Sequence, residues 1–270
     1  MNKFYIQIVL FILSIFVYAN NEALATEPAS GEDTKPKLRS RYPTPEEIYE
    51  KNKHLVRSDH KHAKVIKVMG EVMDEAIKQL EYHATSKDGY KLCVENTGDG
   101  ISYYKKKHDD NTDILKINLN IYASSQYDEI INKYWDPDTP NTFNKGTVKI
   151  FRVYNPNLLL ICQRYKKKRG EPHKYFYAFV SKTEISKDKT IIAMTSSNTT
   201  NENSPNIEHK NPILKKADTP YGSLRSKNYI EDKNYKKLFV NLAGYLIEKK
   251  GDDLEITYIE SVSDIQILII

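Results

Sequence analysis

The sequence predicts an α+β domain in which helices precede a large antiparallel β-sheet. Between 61 and 83, apolar residues recur at the spacing of a helix that is buried along one side. From 90 onwards, most apolar segments are short and alternate every second position, as β-strands do. Near the end, two such segments flank a charged, Gly-containing break, which is typical of a hairpin. Helices followed by runs of strands indicate the α+β class.

The first 25 residues have the pattern of a secretory signal peptide. Lys3 precedes an apolar stretch from Ile8 to Tyr18, and small residues follow it. A signal anchor is the alternative, although the stretch is short for a membrane span. We expect cleavage at Ala19 or Ala25 and a secreted protein. Residues 26–42 are polar and unpatterned, so we expect a disordered linker before a single domain from 43 to 270.

Two helices are predicted at the start of the domain. Thr44 can cap the first, Pro45 suits its first position, and Glu47 completes a capping box, so a helix should run to about Leu55. The second helix should run from about 61 to 83. Its apolar stripe is predicted to be packing surface and contains Val65, Met69, Val72, Ala76 and Leu80.

Strands dominate the rest of the chain. Ahead of the closing hairpin, alternation predicts strands at 90–94, 101–106, 114–122, 148–154, 158–165, 175–182 and 190–195. A helix is predicted at 125–134, with Ser125 as its N-cap. The polar segment 196–232 is predicted to be a surface insertion, and it carries the candidate glycosylation site Asn198.

The closing hairpin, 237–264, is apolar on both faces of its first arm. Leu242 and Leu246 share one face, while Tyr245 and Ile247 share the other. A hairpin that is apolar on both sides must be covered on both. We therefore expect a protein core on one side and a bound lipid on the other.

Composition and motifs exclude several function classes. The sequence has no phosphate-binding glycine loop and no HExxH, CxxC or GxSxG motif. His54, His60 and His62 are interpreted as surface residues, because helical residues two apart do not share a face. We therefore expect no enzyme, no cofactor and no metal site.

The net charge of +5 comes from lysine clusters at strand ends, which favours transient membrane-surface contact over nucleic-acid binding. A monomer is expected.

Two cysteines, Cys93 and Cys162, lie in predicted strands. Secretion permits a disulfide between them, and two buried free thiols are the alternative.

Several segments resemble the START lipid-transfer domain. DGYKLCVENTGDGISYYKKK resembles its opening strands, YDEIINKYWDPD its helix ending in Trp-Asp, and GYLIEKKGDDLEITYIESVSD its last two strands. A closer resemblance is to the Plasmodium fam-a group of secreted START-related proteins. The further segments that carry it are the signal peptide, EEIYEKNKHL, YNPNLLLICQRYKKK and FVNLAGYLIEKK.

The resemblance implies a helix-grip fold, in which a curved antiparallel sheet wraps around a long C-terminal helix and encloses one lipid. It implies non-enzymatic phospholipid binding and transfer, with phosphatidylcholine favoured, and export to the host red cell or parasitophorous vacuole. Too few residues follow Asp264 for that C-terminal helix, so either the last strand extends or the copy is truncated. The alternative function is a START-like module without transfer activity, acting as a host-facing binding or antigenic protein.

Candidate lipid-binding residues come from the predicted strands. Arg152 would bind the phosphate, and a solvent-facing arginine is the alternative because an inward charge needs a partner. Trp135 is expected in core packing rather than in a head-group site. Strand tyrosines would form an aromatic cage for choline, although compositional bias is the alternative explanation for the total of 20 tyrosines. The tyrosine candidates are Tyr154, Tyr175, Tyr177, Tyr245 and Tyr258.

Overall fold

The computed structural model describes residues 42–56, 60–96, 100–122, 124–139, 146–165, 170, 172–196, 209–218 and 235–263. The expected signal peptide, the linker before Tyr42, the glycosylation candidate Asn198 and the segment after Ser263 lie outside these residues.

Three α-helices are present in the described ranges. Helix α1 spans Pro45–Lys51 and is followed by a 3₁₀ turn at Lys53–Leu55. The capping box is confirmed: the Glu47 N–H donates to Thr44 Oγ1 over 3.2 Å, and the Thr44 N–H donates to Glu47 Oε2 over 2.9 Å. Helix α2 spans His60–Thr85.

Helix α3 spans Tyr127–Trp135 and begins later than the sequence predicts. A 3₁₀ turn at Ser124–Gln126 precedes it, and Gln126 occupies the N-cap position without a side-chain capping bond. The predicted cap at Ser125 is therefore wrong. The prediction located the helix, but the 3₁₀ turn shifted its first residue.

Ten strands form one sheet with the order β1-β2-β3-β10-β9-β7-β6-β5-β4. Neighbours along this path are antiparallel, and β8 pairs in parallel with the start of β6. Register shifts in β1, β4, β6 and β10 add local bends and twist. The strands are β1 Lys91–Asn96, β2 Ile101–Lys107, β3 Asp113–Ile121, β4 Gly146–Asn155, β5 Leu158–Tyr165, β6 His173–Ser186, β7 Lys189–Thr195, β8 Tyr235–Lys237, β9 Val240–Lys250 and β10 Asp253–Val262.

One side of the sheet, called here the helix face, packs against α2. The predicted α2 stripe is buried there apart from Val65, which is half-buried, and Leu80 and Ala76 are fully inaccessible to solvent. Leu242 and Leu246 of β9 contribute to the same core, as the hairpin pattern predicts. Other members of this core are Met69, Val72, Met73, Ile114, Leu158, Leu160, Phe179, Ile191 and Ile259.

The opposite side of the sheet, called here the cavity face, is also apolar. Tyr245 of β9 pairs directly with Tyr258 of β10, and Tyr258 pairs with Ile117 of β3. On β7, Ile192 pairs with Tyr245 and therefore shares this face. All of these side chains are buried. Both faces of the closing hairpin are buried, and Tyr134 of α3 lies against Tyr245 on the cavity face, where the sequence predicts a lipid.

The prediction that 196–232 is a surface insertion is wrong for the segment 209–218. Ile213, Leu214 and Ala217 are buried in the core beneath α2. Asn211 organises the turn, because its Oδ1 accepts hydrogen bonds from the N–H groups of Ile213 and Leu214, each over 2.9 Å. The remainder of 196–232 lies almost wholly outside the described residues.

None of the helices described combines the length and hydrophobicity needed to cross a bilayer.

Candidate functional site

A cavity lies between the end of α3 and the cavity face of the sheet. It measures about 60 Å³ as the space open to the centre of a water molecule, which corresponds to about four to six waters. Its lining combines the α3 terminus and the turn after it with alternate residues of β4, β5, β6, β7 and β9. The lining residues are Lys133, Tyr134, Trp135, Asp136, Pro137, Thr139, Val148, Leu159, Ile161, Gln163, Val180, Ile192, Met194 and Tyr245.

Helix α3 is tied to the sheet at its start. The Tyr127 hydroxyl donates to Thr190 Oγ1 of β7 over 3.0 Å, and both side chains are buried. Ile131 and Trp135 follow at four-residue intervals and are also buried, so one side of the helix faces the sheet. The far end of α3, where Trp135 lies, forms the wall of the cavity.

A compact turn ends α3. The Asp136 N–H donates to the Asn132 carbonyl over 2.9 Å, and the Thr139 hydroxyl donates to Asp136 Oδ2 over 2.7 Å. The Asp138 carboxylate in the same turn forms an ion pair with Lys51 of α1, with Nζ and Oδ2 3.2 Å apart. This turn closes one side of the cavity.

Trp135 carries a buried polar group without a partner. The side chain is 3% exposed, and its Nε1 has no hydrogen-bond partner among the residues that the structure describes. Indole is a donor only, so this N–H requires an acceptor. Buried donors almost always have one.

A row of aromatic rings continues from the cavity along the sheet. Tyr134 and Tyr245 lie 4.3 Å apart between ring centroids, and Tyr245 and Tyr258 lie 4.9 Å apart. Burial raises the pKa of Tyr134 to about 12, and burial also raises the pKa of Tyr258 well above its ordinary value. These phenols are therefore neutral at physiological pH.

Glu260 adds one acid to the cavity face. It lies two residues beyond Tyr258 on β10, between Leu115 of β3 and Ala243 of β9. Burial raises the pKa of Glu260 to about 7, and a hydrogen bond from Tyr258 partly opposes the rise. The carboxyl group therefore takes up a proton at a higher pH than an ordinary glutamate does.

Comparison with solved structures identifies the fold. The chain superposes on human StAR-related lipid transfer protein 5 with a TM-score of 0.51 at 11% sequence identity, covering 76% of this chain and 86% of that one. The fold is that of a START domain. Human STARD10 gives a TM-score of 0.47 at 13% identity, with 72% and 69% of the chains covered. The human StarD13 lipid transfer and protein localization domain gives 0.41 at 12% identity, with 77% and 84% covered. No protein-family model matches the sequence, and neither does any curated protein.

The START fold confirms the predicted fold class, a curved antiparallel sheet with N-terminal helices. The sequence predicts nine of the ten strands. It missed β8, because Tyr235-Lys236-Lys237 is too short to show alternation. No helix follows β10 within the described residues, which end at Ser263.

Two of the predicted lipid-binding tyrosines lie on the cavity face of the START fold. Tyr245 lines the cavity, and the ring of Tyr258 packs against the ring of Tyr245. The structure places the other three on the helix face. Tyr154 is buried in the α2 core, Tyr177 packs against that core, and Tyr175 contacts Tyr177 with ring centroids 6.0 Å apart.

Arg152 is also away from the cavity. The β4 register pairs it with Leu160, whose side chain lies in the α2 core, and its guanidinium carbon is 5.9 Å from the Phe151 ring centroid. A register shift between Ile150 and Arg152 moves the positions after it to the other face. The expectation that Arg152 shares a face with Val148 is therefore wrong.

The candidate disulfide is absent, because Cys93 and Cys162 are both free. Cys93 lies on β1 and Cys162 on β5, and six strands separate these two in the sheet order. Disulfide formation needs Cα atoms within about 7 Å. Cys162 is buried as the alternative interpretation states, but Cys93 is exposed.

Sequence reasoning missed Gln163 and assigned Trp135 to core packing alone. Gln163 is 2% exposed and lines the cavity from β5. The sequence does contain a signal for Gln163, because strand alternation places it on the same face as Leu159 and Ile161. A polar residue at an inward position of an apolar strand indicates a functional or structural hydrogen bond.

Proposed function

We propose that this chain is a non-enzymatic lipid-binding protein that holds an acyl chain between α3 and the cavity face. One observation carries the proposal: both faces of the sheet are apolar, but a long helix packs on only one of them in the described residues. The START fold supports it, because a neighbour with that fold is a lipid transfer protein by name. Transfer would consist of extraction from one membrane and release at another.

The cavity is small in this structure, and loading requires α3 to move. A space of about 60 Å³ is well below the roughly 300–1,000 Å³ of small-molecule sites. Burying one sixteen-carbon chain favours the bound state by about 12 kcal/mol, at about 0.8 kcal/mol per methylene. This gain is measured against water, and the space between α3 and the sheet is too small to provide it unless α3 moves. We therefore propose that the end of α3 opens as a gate.

Phosphatidylcholine is the proposed cargo. Lys133 and Asp136 both line the cavity, so it presents one positive and one negative side chain to a zwitterionic head group. Tyr134 and Tyr245 line the same space, and aromatic faces attract a quaternary ammonium ion. Competition by phosphatidylethanolamine, phosphatidylserine and phosphatidic acid in the same binding assay tests this choice.

We also propose that the protein is secreted, acts as a monomer and contacts membranes transiently, as a member of the fam-a group. Lys3 and the apolar stretch after it support secretion, and the lysine-rich strand ends support contact with anionic membranes. N-terminal sequencing of protein from secreting cells should find the first residue after Ala19 or Ala25. An intact Met1 in the cell pellet would contradict secretion.

A second candidate function is a START-fold module that no longer moves lipid and serves as a host-facing binding or antigenic surface. The small volume of the cavity favours it.

Native mass spectrometry and vesicle-to-vesicle transfer of phosphatidylcholine separate the two functions. The lipid-binding protein should carry lipid mass and transfer it, and Val180→Phe should abolish both by filling the cavity from β6. Ile185→Phe is the matched control, because Ile185 lies on the same strand but is 43% exposed. A wild-type protein without bound lipid or transfer would leave only the second function.

A further inference from the structure

We propose that the indole N–H of Trp135 donates a hydrogen bond to an acyl carbonyl of the lipid, so that the site selects ester-linked over ether-linked lipids. The inference rests on the proposed lipid binding and names the chemical group that the site recognises.

The unpartnered donor is the first observation. Trp135 Nε1 is buried and has no partner in the described part of the chain, although the same side chain lines the cavity. Leaving such a donor unpaired is costly, and a neutral acceptor placed against it removes that cost. A ligand without an acceptor would leave the donor unpaired.

The surroundings of the donor favour a neutral acceptor. Leu159, Ile161 and Val180 line the cavity from the sheet. Lys133 is the one basic side chain in that lining as described, so a phosphate buried deeply against Trp135 would meet few compensating charges. A carbonyl accepts strongly and carries no net charge, which fits a mainly apolar wall.

Gln163 lines the same cavity from the sheet side. The residue is 2% exposed and lies on β5. Trp135 and Gln163 are polar side chains that line the cavity together with the apolar residues of β5 and β6, and we assign this part of the lining to the junction between the head group and the acyl chains. That junction in a diacyl lipid holds the ester carbonyls, and ether lipids replace each carbonyl with a methylene.

The experiment compares 1-palmitoyl-2-oleoyl phosphatidylcholine with its diether analogue, each offered in vesicles as a competitor of a fluorescent phosphatidylcholine. We expect wild type to prefer the ester lipid by about three- to tenfold, the effect of one hydrogen bond. Trp135→Phe keeps an aromatic ring but removes the N–H, so the preference should fall to about one. Tyr122→Phe, at an 81% exposed side chain, is the control.

Each outcome has one meaning. Equal binding of both lipids by wild type, or an unchanged preference in Trp135→Phe, overturns the inference but leaves lipid binding intact. Binding of a hydroxyl sterol that depends on Trp135, without any ester preference, also overturns it. Absence of binding to either lipid refutes the proposed function itself.

A second readout needs no variant and applies if Trp135→Phe does not fold. Trp135 is the only tryptophan in the sequence, so the intrinsic emission reports on this site alone. The ester lipid should shift the emission to the red through the new hydrogen bond, and the diether lipid should not. Identical spectra with both lipids would overturn the inference.

Discussion

Gly244 of β9 lies directly beneath Leu80 of α2. A Cβ added at Gly244 would lie 2.8 Å from Leu80 Cδ1 and would overlap the Ile192 carbonyl oxygen. The φ angle of Gly244 is +142°, a conformation that side-chain-bearing residues rarely adopt. The glycine thus allows the long helix to approach the centre of the sheet.

Gly244→Ala should therefore destabilise the domain severely. Overlap with backbone atoms cannot be relieved by a side-chain rotation, and the positive φ adds strain, so we expect a loss of at least about 3 kcal/mol. Urea denaturation followed by circular dichroism measures it. Gly70→Ala in α2 is the matched control: nothing lies within 4 Å of its added methyl group, and alanine should stabilise the helix by about 1 kcal/mol. Equal effects of the two substitutions would contradict the proposed packing.

His83 should make the stability of the domain fall in mild acid. Burial, followed by the charges of Lys106, His108 and Lys116, lowers the pKa of His83 to about 4. The unfolded chain takes up a proton near pH 6.5, and the folded chain resists it until about pH 4, so stability is lost as the pH falls through this window. The loss should approach about 3 kcal/mol.

Urea titrations of wild type and His83→Gln at pH 7, 5.5 and 4 check this expectation. The substitution removes the group that titrates differently in the two states, so the variant should lose less stability than wild type between pH 7 and pH 4. His54→Gln, at an exposed position, should keep the wild-type dependence. Parallel curves for wild type and His83→Gln would show that His83 is not the cause.

Tyr127→Phe should loosen the anchored end of α3. The variant loses the hydrogen bond to Thr190 and leaves that buried hydroxyl without this partner. We expect a loss of about 1 kcal/mol in stability. If opening of α3 limits lipid uptake, the same change should accelerate uptake about fivefold. Stopped-flow transfer of a fluorescent phosphatidylcholine measures the rate. An unchanged rate in a destabilised variant would exclude α3 as the gate.

The sequence predicts the closing hairpin well because its pattern is local. Alternation places Leu242 and Tyr245 on opposite faces, and the charged break at Gly251 fixes the turn, where φ is +64°. The capping box at Thr44 is equally local. Such features depend on residues a few positions apart, so no tertiary information is needed.

The candidate site could be predicted only in part, because it depends on irregular backbone. The register shift in β4 moves Arg152 and Tyr154 to the face opposite the one that strict alternation predicts. The alternating pattern of the sequence does not indicate this shift. Tyr175 and Tyr177 fall on the helix face because of how β6 pairs with its neighbours. The polar residue Asn211 gives no hint that it positions Leu214 in the core.

The position of Trp135 in the cavity could not be predicted from the sequence either. The sequence shows that a tryptophan ends a helix, but only the fold shows that it reaches a cavity lined from β5 and β7. Only the three-dimensional neighbours show that its Nε1 has no partner within the described part of the chain.

Quenching of Trp135 by brominated lipid tests the central claim most directly. The claim is that an acyl chain enters the space between α3 and the cavity face, and the sole tryptophan lines that space. Phosphatidylcholine vesicles with bromine atoms on the acyl chains should quench the emission of wild type, and Val180→Phe should prevent it. Emission that is unchanged by brominated chains, in protein that is folded and mixed with excess vesicles, would contradict lipid binding at this site.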